Sequence, residues 1–330
     1  MMALLGLAPA PDAVAQPRAE DSETLPALLG AQGFSPPEGF KALVLRIDES
    51  DDGTLSSRAF DWEGTSDDRD DWWPASSVKI FAAVAALERL HALGFPIRTW
   101  ITYNYEVGSV TMRADHIVRL ALERSSNSAF DRLVELVGFD EINTDFFVAD
   151  KGLHDTVFLR SYSGRYRDQT TGISSARYSP TIFLRRGHRT QTLPQRRGEG
   201  QYACPDDGNC TTLWQLAEVM RRIMLHEHLP ESERYDLREV DLQVMRAALA
   251  IARNYRLAEI VEEAFGDTPV EVWHKPGYAM GWVSDVMFVH CPDTRERFVV
   301  AMAARSDRRG LDGAAAHLGR LLHGGGLRGR

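Results

Sequence analysis

Residues 76–90 read Ser76-Ser77-Val78-Lys79-Ile80-Phe81-Ala82-Ala83-Val84-Ala85-Ala86-Leu87-Glu88-Arg89-Leu90. The run has no proline or glycine and is rich in alanine and leucine, so it predicts a long helix that Gly94 and Pro96 end. Ser76 and Lys79 stand three positions apart and therefore share one face at the helix start. Free backbone N–H groups and the positive end of the helix dipole at that point can steady an oxyanion forming beside the serine. A lysine can take the serine proton only when neutral. Burial and a neighbouring positive charge both depress an amine pKa, so such a site calls for a second cation. A serine cap followed by a surface lysine is the plain alternative.

Two segments further along answer that requirement. Arg124-Ser125-Ser126-Asn127 sets small polar residues between helical patterns over 114–124 and 128–137, the second stopped by Gly138. A helix cap alone also accounts for it. His274-Lys275-Pro276-Gly277 lies between an apolar run at 270–273 and a strand pattern at 281–289, which places a lysine on a strand beside a residue with no side chain. Pro276 lacks the N–H a central strand needs, so this strand belongs at a sheet edge. Tyr278 shares the parity of Pro276, and its N–H faces the same open side, where an oxyanion donor is wanted.

Ser76/Lys79, Ser125/Asn127 and Lys275/Gly277 occur in the order S-x-x-K, S-x-N, K-[ST]-G. Over residues 38–322 the chain thereby resembles the serine β-lactamase and penicillin-binding protein superfamily, most closely its class A branch. The segments 125–130, Cys210-Thr211-Thr212 and 281–286 share the likeness. The resemblance implies an α/β (α+β) fold, an antiparallel sheet flanked by helices with an inserted all-helical subdomain. It implies a serine hydrolase that forms an acyl-enzyme and opens β-lactams, or alternatively a D-alanyl-D-alanine carboxypeptidase or related serine esterase or amidase, or a penicillin-recognising fold with little turnover. By the same resemblance Ser76 is acylated, Lys79 is its base and Ser125 passes a proton to the leaving nitrogen. Asn127 holds the substrate's side-chain amide, Lys275 and Gly277 belong to the substrate-binding strand, and the backbone N–H groups of Ser76 and Tyr278 form the oxyanion hole. No cofactor or metal is implied. The sequence departs from the pattern in two places. Pro276 replaces a hydroxyl residue, and 142–198 contains no glutamate to activate the hydrolytic water, leaving Glu199 as the nearest candidate.

The rest of the 330 residues fits one large core with an attached second layer. A formal net charge of -9 argues against a nucleic-acid partner, and the substrate expected is a small molecule bound by a monomer. A short helix at 21–32, strands at 40–48 and 55–62 around the turn Asp51-Asp52-Gly53, helices at 213–225, 242–250 and 311–322, and a strand at 298–304 complete the pattern. The acidic stretch 67–71 reads as a solvated loop, and 140–210 as irregular. These elements divide the chain into a signal-like or disordered tail at 1–20, a sheet-containing part from 21–73 and 222–330, and an inserted helical part at 74–221. The apolar stretch 4–15 is too short for a membrane helix, which needs roughly 20 residues, but with Ala13-Val14-Ala15 it resembles an export signal. Cys204 and Cys210 bracket a polar turn and suit a disulfide, with zinc as the weaker alternative, whereas Cys291 reads as a lone buried thiol. A disulfide agrees with a periplasmic or secreted protein.

Overall fold

The structure, a computed structural model, describes residues 24–167, 169, 172–252 and 256–327; the expected signal at 1–20 lies outside them. After a short helix α1 (Leu25–Gly30) the chain forms the hairpin β1 (Lys41–Glu49) and β2 (Leu55–Asp61), with Gly53 at φ +83° in the turn. A 3₁₀ turn, Ala75–Val78, runs directly into α2 (Lys79–Ala92). Strands β3 (Trp100–Tyr105) and β4 (Gly108–Arg113) follow, then α3 (Ala114–Leu122), α4 (Asn127–Val137) and the single turn α5 (Phe139–Glu141). The region read as irregular holds six short strands: β5 (Val157–Phe158), β6 (Tyr178–Ser179), β7 (Thr181–Arg186), β8 (Arg189–Leu193), β9 (Arg196–Arg197) and β10 (Asn209–Cys210). Helices α6 (Leu213–Met224), α7 (Glu239–Ala250) and α8 (Leu257–Ala264) lead to β11 (Glu271–Ala279), β12 (Trp282–Cys291), β13 (Glu296–Arg305) and the closing helix α9 (Asp312–His323).

The main sheet runs β11-β12-β13-β1-β2 with every pair antiparallel, so the two ends of the chain meet where β1 pairs with β13, Val44 opposite Val300. Its side chains alternate between two cores. Val283, Met287 and Val289 of β12 pack with α8 and α9, while Val286 and Phe288 pack with α2 and α6. Burial on both faces explains why these strands read as continuous apolar runs rather than alternating ones. Edge strand β11 carries Pro276, in agreement with the missing ladder donor.

Two expectations need correction. The inserted part is not all-helical, because it carries a second antiparallel sheet, β4-β3-β7-β8. Ile101 and Tyr103 are buried in β3 while Trp100 stays exposed, a period-two pattern of only six residues that is easily hidden between helices. The acidic stretch is not simply solvated, since Asp68 and Asp71 both bind the buried amine of Lys41, at 2.6 and 2.8 Å. Helix α8 has no counterpart in the sequence reading. Cys204 and Cys210 do form a disulfide, their Cα atoms 5.8 Å apart, and Cys291 is buried outside any disulfide.

Candidate active site

Ser76 sits in the 3₁₀ turn before α2, not in the first α-helical turn, and the backbone at Ala75 just before it is left-handed (φ 51°). That conformation is uncommon for a residue with a Cβ and is held by its surroundings. The Ser77 hydroxyl donates to Pro74 O at 2.6 Å, and the Ser284 hydroxyl, from β12, donates to the same carbonyl at 2.9 Å. The turn is thus pinned to the sheet. Gly277 on β11 completes the contact. A Cβ there would lie 2.5 Å from Pro74 O and 2.9 Å from Ser76 N, so only glycine lets the edge strand approach the Ser76 backbone.

Ser125 is the second left-handed residue of the site (φ 52°), at the junction of α3 and α4. Ser126, not Ser125, caps α4, accepting from Ala129 N at 3.3 Å, which leaves Ser125 and Asn127 free to meet Lys79. The Lys79 amine donates to the Ser125 carbonyl, to Asn127 Oδ1 at 2.7 Å and to Ser125 Oγ at 3.3 Å. Lys275 Nζ donates to Ser125 Oγ at 3.0 Å and to Pro276 O at 2.9 Å. One hydroxyl therefore accepts from two buried amines. The Ser76 hydroxyl is not among the Lys79 acceptors.

Burial and then the charge of Lys275 together pull Lys79 down to about 6, opposed only in part by Asp131. Lys275 is pulled down to about 7 by burial, against the attraction of Asp285. Each amine is thus poised to exchange a proton near neutrality.

The second wall comes from the segment after β5. Asp131 of α4 is buried and accepts the N–H groups of Tyr162 at 2.7 Å and Ser163 at 2.9 Å as well as the Ser163 hydroxyl. The Tyr162 hydroxyl donates to Ala75 O at 3.0 Å, and its ring stacks on Phe130 with centroids 4.6 Å apart. Burial raises the Tyr162 hydroxyl pKa, keeping this clamp on the turn before Ser76 protonated. Between this wall and β11 opens a cleft of about 370 Å³ lined by Ser76, Asn127, Arg160, Tyr162 and Tyr278 among others.

The structure brings Ser76, Asn127 and Tyr278 to the cleft surface, with Lys79, Ser125, Lys275 and Gly277 linked directly behind them. It does not bring Glu199 there. Glu199 is exposed and absent from the cleft lining, its N–H bound to Asp140 Oδ2 at 3.0 Å, and Arg177 Nη1 holds the flanking carbonyls of Gly198 and Gly200 at 3.2 and 2.8 Å. Sequence reasoning missed Asp131, Tyr162 and Ser284. Asp131 carried a signal, an acid four positions after Asn127 on the inner helix face; the other two had none apart from their strand and loop context. Among the described residues no cluster of three or more His, Cys, Asp or Glu is placed to hold a metal, and no helix is long and apolar enough to cross a membrane.

Residues 65–324 match the model of the β-lactamase enzyme family. No curated protein matches the sequence. Among solved structures, the fold is similar to a class A β-lactamase from Mycobacterium abscessus, with TM-score 0.58, 17% identity, and coverage of 91% of this chain and 99% of that one. A variant of the reconstructed last common ancestor of Gram-negative class A β-lactamases gives TM-score 0.61 at 17% identity, covering 93% and 100%. The structure of PBP-A gives TM-score 0.58 at 16% identity, covering 91% and 94%. At these identities the likeness is one of fold.

Proposed function

The chain belongs to the β-lactamase enzyme family and is a serine hydrolase of that kind, and from this premise we propose that Ser76 opens β-lactams through an acyl-enzyme. The observation that carries the proposal is the Ser125 hydroxyl held between two buried amines, 3.3 Å from Lys79 and 3.0 Å from Lys275, directly behind the cleft that Ser76 lines. In this reading neutral Lys79 turns from Asn127 to Ser76 when substrate binds and takes the hydroxyl proton. Such hydrogen bonds commonly tighten only in the complex. Ser76 Oγ bonds to the carbonyl carbon, and the N–H groups of Ser76 and Tyr278 hold the oxyanion. As the C–N bond breaks, Ser125 gives its proton to the nitrogen and is reprotonated from the Lys79 ammonium, which returns Lys79 to neutrality. Lys275 holds Ser125 in place and attracts the substrate carboxylate, a larger share of that task now that Pro276 has no hydroxyl to offer.

The described lining of the cleft contains no carboxylate. We therefore assign the hydrolytic water to Lys79, acting a second time, rather than to Glu199. The same observation favours the second reading, an acyl-enzyme that turns over slowly on penicillins, as expected of a D-alanyl-D-alanine peptidase. The Cys204–Cys210 disulfide supports a periplasmic or secreted location.

The test is intact-mass analysis after mixing with benzylpenicillin. The parent protein should gain the mass of one penicillin and Ser76→Ala none; equal labelling of both would remove Ser76 from the role. Decay of the adduct, set beside release of D-alanine from a D-alanyl-D-alanine peptide, separates the two readings.

A further inference from the structure

We infer that the cleft carries a second anion-binding subsite, formed by Arg160 and Arg167, that selects acyl groups bearing a carboxylate on the side chain. The inference rests on the acyl-enzyme reading and adds a substrate class to it. In a chain of net charge -9, the charged side chains among the described lining of the cleft are these two arginines. The two guanidinium groups of the described lining attract ligands of opposite sign.

Arg160 is built into its place. Its N–H donates to Asn209 Oδ1 at 2.8 Å and its carbonyl accepts from Asn209 Nδ2 at 3.0 Å, so the residue next to the disulfide clamps both of its backbone groups. Its Nη2 donates to Asp206 O at 2.7 Å, and the guanidinium lies over the Trp73 ring, 5.1 Å from the centroid, three positions before Ser76. Those contacts fix the plane of the group without neutralising it, since the Asp206 contact is to a carbonyl. The Arg160 Nε is buried and has no acceptor. Arg167 is exposed, its Nε on Gly172 O at 3.0 Å, and two isolated bridges, Arg160 to Ser175 and Arg167 to Ser174, tie both arginines to one returning segment. Planar guanidinium groups suit carboxylates because they donate in pairs. Lys275 belongs to β11, whereas both arginines belong to the loop wall, so this demand for an anion is separate from the one Lys275 makes.

The test compares benzylpenicillin with its α-carboxylated analogue, carbenicillin, which adds one carboxylate to the side chain. Acylation rate constants for both are measured by quenched-flow mass spectrometry, and the ratio of the two cancels any loss common to both probes. The parent should favour the carboxylated probe by about tenfold or more, the worth of one charge-assisted contact. Arg160→Gln and Arg167→Gln should each lower the ratio, together bringing it near one, and Arg160→Lys should retain part of it. Added salt should shrink the preference in the parent. If Arg160→Gln does not fold, as judged by its thermal transition, Arg167→Gln and the salt series carry the test. A parent ratio near one, or a ratio unchanged in the variants, overturns the subsite while leaving the Ser76 adduct intact. Absence of an adduct with either probe overturns the acyl-enzyme reading and the subsite with it.

Discussion

Lys41 and Lys79 are both buried lysines, and their surroundings drive them in opposite directions. At Lys41 burial works against the charge, but hydrogen bonds and attraction from Asp68 and Asp71 outweigh it and raise the pKa. At Lys79 the partners are a carbonyl, a hydroxyl and an amide, and the repulsion of Lys275 outweighs the attraction of Asp131, so burial wins and the pKa falls to about 6. Burial alone does not make a reactive amine. The choice of partner decides whether the group serves as a fixed cation or as a base.

The largest effect expected is on acylation. Lys79→Met should slow adduct formation by roughly 100- to 10,000-fold, the usual worth of a general base. Lys41→Met, measured in the same stopped-flow assay, should stay within a few-fold of the parent; a comparable loss there would erase the contrast.

Stability should separate the two lysines next. Replacing both Asp68 and Asp71 by Asn strands the Lys41 charge and should cost about 1–3 kcal/mol, less than for a fully buried pair because the acids are 43% and 62% exposed. Urea denaturation checks it. The pH dependence has opposite signs at the two sites. Lys41 has a raised pKa, so its contribution is present below 10.5 and lost as pH climbs through the folded value. Lys79 has a depressed pKa, so between about 6 and 10.5 the unfolded chain binds more protons and the Lys79 contribution improves as pH rises. Any stability advantage of Lys79→Met over the parent should accordingly shrink across that window.

A subtler effect concerns the second cation. Acylation should rise as Lys79 loses its proton through about pH 6 and decline as Lys275 loses its own through about pH 7. Lys275→Met should move the rising limb to higher pH, because the repulsion that helped depress Lys79 is gone. A limb that stays in place would show that burial acts alone. The smallest effect is expected at Glu199, where Glu199→Gln should leave adduct decay within about twofold of the parent, in line with the few tenths of a kcal/mol typical of surface substitutions.

Much of this was legible in the sequence because it is local or periodic. The helix after Ser76, the edge position of β11 forced by Pro276, and the placing of Lys79 on the face of that helix all follow from spacing and from the covalent limits of proline and glycine. The second sheet escaped because β7 and β8 carry arginines and threonines on their exposed faces, leaving too few apolar positions to set a period. Glu199 was misplaced for a different reason. Distance along the chain says nothing about which way a loop turns, and here Asp140 and Arg177 fasten its backbone outside the cleft lining. The pairing of Lys41 with the acidic stretch is also long-range, joining positions 27 and 30 residues apart.

The bond from Ser284 to Pro74 joins residues 210 positions apart, and Gly277 packs against the same turn. During synthesis, then, the segment bearing Ser76 emerges long before the strands that hold its turn in shape. Closing so wide a loop is costly and slow, so the nucleophile's geometry belongs to a late stage of folding. A growing chain, or one truncated before β11, carries Ser76, Lys79, Ser125 and Asn127 without the strands that shape the turn at Ser76. The segment from β11 onward acts as the timer that decides when the turn at Ser76 takes its shape.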